Sequence, residues 1–124
     1  MIWIGAAGNR LAGEVFQADG SGSVIMLHGG GQTRHTWRRA AKRLQQQGIT
    51  CLTFDQRGHG DSAWIDSGDY RLDDFLADLQ CVLDDWQRPC VLIGTSLGGL
   101  VGMMAAGTQH PLIRGLAMID TAPQ

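Results

Sequence analysis

The stretch that decides the fold is PCVLIGTSLGGLVG, residues 89–102 of a chain of 124. After the proline, the apolar run from Cys90 to Gly94 predicts a short strand that is buried on both faces. From Leu97 to about His110 the sequence is apolar almost all round, which predicts a deeply buried helix. Between them stands Ser96 in a G-x-S-x-G pattern, which is typical of a sharp turn that lifts a serine hydroxyl clear of the backbone.

Ser96 is therefore the candidate nucleophile. Glycines at positions 94 and 98 let the strand and helix backbones approach closely. The N-terminus of the following helix brings N–H groups and a positive dipole end to the place where negative charge develops. The alternative interpretation is an ordinary glycine-rich turn with a capping serine.

Outward from this turn, strands and helices alternate along the chain. The expected elements are a hairpin over residues 3–17 with a turn at Gly8-Asn9, strands at Val24–Leu27, Thr50–Asp55 and Leu116–Asp120, and helices at about Thr33–Gln47 and Arg71–Trp86. Such alternation predicts an α/β fold with a mostly parallel sheet flanked by helices. Functional groups then collect beyond the carboxyl ends of the strands, where His28, Asp55, Ser96 and Asp120 stand.

The run His28-Gly29-Gly30-Gly31 follows one of these strands. Glycines leave backbone N–H groups unobstructed, and an oxyanion hole needs one such donor besides the N–H that follows the nucleophile. We therefore assign the two donors to Gly30 and Leu97. A phosphate-binding loop is the alternative, but the run lacks the G-x-x-x-x-G-K-[ST] and G-x-G-x-x-G patterns. His28 is expected to form structural hydrogen bonds, with a catalytic base as the alternative.

Three motifs in this order and spacing resemble the N-terminal half of an α/β-hydrolase fold enzyme. They are HGGG at residues 28–31, DQRGHGDS at 55–62 and GTSLGG at 94–99. The resemblance covers essentially the whole chain and is nearest to the esterase-like and peroxidase-like branch with a serine nucleophile. Dehalogenases and epoxide hydrolases of this fold carry aspartate where Ser96 stands. The resemblance implies a sheet order of the hairpin, then the Thr50, Val24, Cys90 and Leu116 strands.

The resemblance also implies a triad in the order Ser, then Asp or Glu, then His. After Ser96 the chain offers Asp120 as an acid and His110 as a histidine. About 14 helical residues put His110 roughly 20 Å from the serine, which excludes it as the base. Asp120 is the candidate acid, with a plain strand-end residue as the alternative. His35 and His59 are the alternatives for the base, although His59 resembles a position that is structural in the family.

The chain thus carries a nucleophile and an oxyanion hole without a credible base, and it lacks the last strands and helices of the fold. We expect one incomplete domain over residues 1–124. Its expected chemistry is hydrolysis of a carboxylic ester or related acyl bond through an acyl-Ser96 intermediate, with no activity alone. Acyl transfer, perhydrolysis or carbon–carbon hydrolysis at the same site are alternatives, as is a non-catalytic binding or assembly module. An exposed Leu116 edge predicts self-association or pairing with a C-terminal half.

Composition excludes several classes of function. The 10 basic and 12 acidic side chains give a net charge of −2, which argues against nucleic acid as a partner, and no window reaches the ~18 apolar residues of a membrane span. Three widely spaced cysteines form neither a disulfide framework nor a zinc signature. With no secretory signal, this favours a cytoplasmic protein with buried thiols, a reactive thiol being the alternative. We expect no cofactor or metal, and a small acyl substrate as partner.

Two further expectations depend on the sheet order that the resemblance implies. The Val24 strand lies between Cys51 and Cys90, so these two thiols should not bond. The basic Thr33–Gln47 helix and the acidic Arg71–Trp86 helix should lie on opposite faces of the sheet, the aspartates at 73, 74, 78, 84 and 85 lying outside the apolar stripe. Both charged faces are expected to be solvated, with weak electrostatic self-association as the alternative.

Overall fold

The computed structural model describes residues 1–20 and 22–119. The strands are β1 (Ile2–Ile4), β2 (Arg10–Phe16), β3 (Ser23–Leu27), β4 (Thr50–Phe54), β5 (Cys90–Thr95) and β6 (Ile113–Ile119), and the α-helices are α1 (Arg38–Gln46), α2 (Leu72–Trp86) and α3 (Leu97–Gly107). They form one six-stranded sheet in the order β1-β2-β4-β3-β5-β6. Neighbouring strands in the series β4-β3-β5-β6 are parallel. The hairpin strands β1 and β2 are antiparallel to each other, and β2 pairs antiparallel with β4. The expected fold class and strand order are confirmed.

The sheet is covered unevenly. All residues of β3 and β4 are buried, because α2 and α3 pack on one face and α1 packs on the other. The basic and acidic helices therefore lie on opposite faces, as expected. In β6 no residue is buried, so this strand forms an open margin of the described sheet.

Several element boundaries differ from expectation. The first helix has two parts, a 3₁₀ turn at Arg34–Trp37 and then α1, because Thr33 Oγ1 accepts the His35 N–H at 3.3 Å and caps the turn. Helix α3 ends at Gly107, where the backbone turns and Gln109 adopts a positive φ of 55°. The last strand starts at Ile113, and Asp120 lies outside the described residues.

Burial of α3 is one-sided, so the expectation of a helix deeply buried all round is wrong. Gly98, Val101 and Ala105 are buried against the sheet, whereas Met103 is 39% exposed. Because α3 is apolar almost all round, apolar side chains also lie on the side that faces away from the sheet. No helix in the described ranges is long and apolar enough to cross a membrane.

Candidate active site at the end of strand β5

Ser96 links the end of β5 to the start of α3. Its backbone has φ 52° and ψ −119°, a region that residues other than glycine seldom adopt. The residue is exposed even though the strand and helix on either side are packed. The turn expected from G-x-S-x-G is therefore present, with the serine at its crest.

Two glycines make this turn sterically feasible. A Cβ atom on Gly94 would lie 2.6 Å from the nitrogen of Gly99. A Cβ atom on Gly98 would lie 2.7 Å from the carbonyl oxygen of His28 and would also overlap Leu27. Real Cβ atoms do not approach backbone so closely, so α3 crosses the ends of β3 and β5 with no space for a side chain.

The glycine loop after β3 lies directly beside the serine. A Cβ on Gly29 would be 3.3 Å from Ser96 Cβ, and one on Gly30 would be 3.9 Å from Leu97 Cβ. Within residues 1–20 and 22–119, neither the Gly30 N–H nor the Leu97 N–H donates to an acceptor. The structure thus brings together Ser96, Gly30 and Leu97, the three residues singled out from the sequence.

His28 is fully buried at the end of β3. Its Nδ1 is 2.7 Å from the Gly29 carbonyl oxygen, and its Nε2 accepts the Gln56 N–H at 2.9 Å. Gln56 also donates through its side-chain amide to the His28 carbonyl at 3.0 Å. Burial lowers the pKa of His28, so the ring is a neutral structural bridge between β3 and the loop after β4.

Asp55 organises that loop from its centre. The buried carboxylate accepts the Arg34 N–H at 2.6 Å and the Asp61 N–H at 2.9 Å, and it pairs with the Arg34 guanidinium. The Asp55 carbonyl accepts the Ser62 hydroxyl. Gly60, with φ 51°, passes so close that a Cβ there would overlap the carboxylate. The DQRGHGDS motif is therefore a closed turn around a buried charge.

None of the four histidines is arranged as a base by its described contacts. Both ring nitrogens of His28 and of His59 are bound to backbone groups. His110 accepts the Leu112 N–H and lies 3.5 Å from Asp84, while His35 faces Glu14 at 3.9 Å. The candidate acid, Asp120, lies outside the described residues. Among those residues, no group of three or more His, Cys, Asp or Glu could hold a metal ion.

The sequence analysis did not predict a buried ion pair that joins the loop after β4 to helix α2. Arg57 and Asp78 are 2% and 1% exposed and are joined by two hydrogen bonds of 2.7 and 2.8 Å. The Asp78 carboxylate also accepts the Ala6 N–H at 2.9 Å. The expectation that Asp78 lies outside the apolar stripe is wrong. The signal was its spacing, three residues after Phe75 and four before Val82, which puts it on the buried face of α2.

The chain is similar to known proteins along most of its length. A protein-family model described as alpha/beta hydrolase fold matches residues 22–124. The chain is 37% identical over 101 residues to Esterase Rv0045c of Mycobacterium tuberculosis, covering 81% of this chain and 33% of that protein. It is 33% identical over 103 residues to the sn-1-specific diacylglycerol lipase ABHD11 of Mus musculus, covering 82% and 33%.

Solved structures show the same fold. An alpha/beta hydrolase from Novosphingobium aromaticivorans superposes with a TM-score of 0.91 at 29% identity, over 100% of this chain and 44% of that one. The chain spans about a third of the length of the two curated relatives named above.

Proposed function

Since the chain belongs to the α/β-hydrolase fold family, we propose that it supplies the nucleophile and oxyanion hole of a serine hydrolase acting on carboxylic esters or related acyl bonds. The observation that carries the proposal is the exposed Ser96, held at φ 52° at the start of α3, with Gly29 and Gly30 lying directly beside Ser96 and Leu97. An esterase and a diacylglycerol lipase among the similar proteins favour an ester as the scissile bond.

The proposed reaction begins with attack of Ser96 Oγ on the carbonyl carbon of the substrate. The carbonyl oxygen becomes an oxyanion and accepts hydrogen bonds from Gly30 and Leu97, which stabilise the charge. The leaving alcohol takes a proton as the acyl-Ser96 bond forms, and water then releases the acid and restores the serine. Both steps need a general base. The rings of His28, His59 and His110 are hydrogen-bonded elsewhere, and His35 lies 3.9 Å from Glu14. Asp120 remains our candidate for the triad acid.

A fluorophosphonate probe tests the nucleophile. We expect intact-mass spectrometry to show one added phosphonyl group on Ser96, and none on the Ser96→Ala variant. A folded wild-type chain that is not labelled would contradict the proposal and favour a non-catalytic binding module.

Turnover tests the missing base. We expect the chain to hydrolyse 4-nitrophenyl acetate no faster than about 10⁻³ of the rate of a complete relative, because triad members act as a unit. A rate near ~10 per second that Ser96→Ala abolishes would contradict this. It would identify His35, His59 or a second chain as the base.

A further inference from the structure

We propose that His28 and His59 are positioning residues that fix the two peptide planes on either side of Gly30, and that this arrangement holds only while both imidazoles are neutral. The inference rests on the proposed role of Gly30 as an oxyanion donor. It adds two residues that act through the loop rather than on the substrate.

The first peptide plane is fixed by His28. A carbonyl only accepts and a backbone N–H only donates, so the bonds to Gly29 and Gln56 require the neutral ring with its proton on Nδ1. The Gly29 carbonyl is held further by the Gln32 N–H at 3.1 Å. In a planar trans peptide the carbonyl and the next N–H point in opposite directions. Fixing the Gly29 carbonyl therefore fixes the direction of the Gly30 N–H.

The second peptide plane is fixed by His59. The Gly31 N–H donates to His59 Nε2 at 3.0 Å, while Nδ1 lies 2.9 Å from the Arg57 carbonyl. The same reasoning assigns the proton to Nδ1 and leaves Nε2 as an acceptor. Gly30 and Gly31 are exposed and Gly31 has a φ of 76°, so these bonds restrain a segment that glycine would otherwise leave conformationally free.

His59 is itself held from three sides. Its ring lies 4.9 Å from that of His28 and 6.3 Å from that of Phe75 on α2. Arg57, whose carbonyl holds Nδ1, is paired through its side chain with Asp78 on α2. The missed ion pair therefore supports the loop through His59.

Both hydrogen-bond patterns need a neutral ring. Burial lowers the pKa of His28, and the neighbouring His59 acts in the same direction. The nearby carboxylate of Asp55 is paired with Arg34. For His59 the requirement is geometric, because Nε2 can accept the Gly31 N–H only while it carries no proton.

Two substitutions of His59 distinguish the loss of its hydrogen-bond acceptor from the loss of its volume. His59→Gln retains a neutral acceptor, His59→Phe fills the space without one, and His110→Gln is the control because His110 contacts Asp84 and Leu112 instead. The readout is the rate at which a fluorophosphonate labels Ser96 at pH 7.5. His59→Phe should be at least about tenfold slower than wild type, loss of an oxyanion donor costing ~10²–10³, and His59→Gln should recover a large part of that loss. A folded His59→Phe chain with wild-type rates would overturn the inference.

Nitrogen-15 NMR gives a readout that needs no reactive serine. We expect the His59 ring shifts to show the Nδ1–H tautomer at pH 7.5, and the Gly31 amide signal to shift in His59→Phe, which lacks the acceptor. The His110→Gln variant should behave as wild type. A Gly31 amide signal that is unchanged in a folded His59→Phe chain would overturn the inference even where Ser96 is labelled. Failure of labelling together with the expected shift would overturn only the proposed function. Should His59→Phe not fold, the ring shifts of the wild type decide, and a proton on Nε2 would overturn the inference.

Discussion

At the scale of single residues, the turn at Ser96 separates steric requirements from chemical ones. Ser96 is exposed, and alanine has the same Cβ and the same backbone freedom at φ 52°. The neighbouring glycine is different, since any Cβ at Gly98 would meet the carbonyl oxygens of Leu27 and His28. The proposed reaction needs the Ser96 side chain, whereas the close approach of α3 needs the absence of a side chain at Gly98.

We therefore expect Ser96→Ala to leave the free energy of unfolding within about 0.5 kcal/mol of wild type. Gly98→Val should lower it by about 1–3 kcal/mol or more, because overpacking adds to an unrelieved backbone clash. Thermal melts of the two variants under the same conditions provide the measurement. Equal midpoints would show that the turn is not as tight as described.

A second residue-scale prediction concerns the buried ion pair. Removing one partner, as in Asp78→Leu, leaves the Arg57 charge buried and uncompensated and should cost about 3–5 kcal/mol. The double variant Arg57→Met, Asp78→Leu should recover much of that loss, because no charge is then stranded. Urea titrations of both measure the difference. A single variant that costs under about 1 kcal/mol would mean that water reaches the pair.

At the scale of elements, the order of the strands determines whether two cysteines can form a disulfide bond. Cys51 on β4 and Cys90 on β5 are separated by β3, and both are free, as expected. Burial raises the pKa of each to about 11 from an ordinary value of 9.0. The folded chain therefore keeps these protons as the pH rises through 9, while the unfolded chain loses them.

Alkylation should follow this difference. At pH 8 the thiolate fraction of Cys51 and Cys90 is about a hundredfold below that of an ordinary thiol, so iodoacetamide should react first with the half-buried Cys81. In urea all three should react at similar rates, which provides the control. Mass spectrometry of tryptic peptides reports each site. Labelling of Cys51 or Cys90 as fast as Cys81 in the folded chain would contradict the described burial.

Hydrophobic periodicity predicted these elements well where the buried positions are all apolar. The apolar runs at β3, β4 and β5 and the stripe of α2 located the strands and the helix to within a few residues. It failed where a polar side chain is buried with a distant partner. Asp78 has the spacing of a core position, but no sequence pattern shows that Arg57 arrives from a separate loop to neutralise it.

In the candidate site, too, the sequence predicted local features and not the contacts between distant segments. The motifs predicted Ser96, Gly30 and Leu97 as site residues because backbone geometry dictates those residue types locally. It did not locate the hydrogen bonds that His28 and His59 make to the loop, because these depend on how two strand ends meet. The triad acid and base remain predictions, with Asp120 outside the described residues.

At the scale of the whole molecule, one face of the sheet is uncovered near β6. Val91 and Ile119 are 36% and 46% exposed on the face that α1 covers elsewhere. Strand β6 pairs with β5, and within the described ranges no other strand pairs with it. An apolar face beside unpaired backbone groups favours association.

We expect the chain alone to sediment at micromolar concentration as oligomers or aggregates. Ala117→Lys places a charge on the uncovered face of β6 and should shift the population toward monomer, whereas Met103→Lys on the outer side of α3 serves as the matched control. Near-ultraviolet circular dichroism from the buried Trp3 and Trp37 reports packing in parallel. A monodisperse wild-type monomer with a cooperative melt would favour a self-sufficient binding module over part of a hydrolase.

The position of β6 also has a consequence for the chain while it is being translated. After the hairpin β1-β2, strand β3 is released first of the parallel strands, β4 joins one side of it, and β5 and then β6 extend the other side. On that side β5 covers the edge of β3 and β6 covers the edge of β5, so each becomes the new edge in turn. We expect nascent chains that pause after β6 to depend on chaperones, because an apolar, half-exposed parallel strand then forms the edge of the sheet.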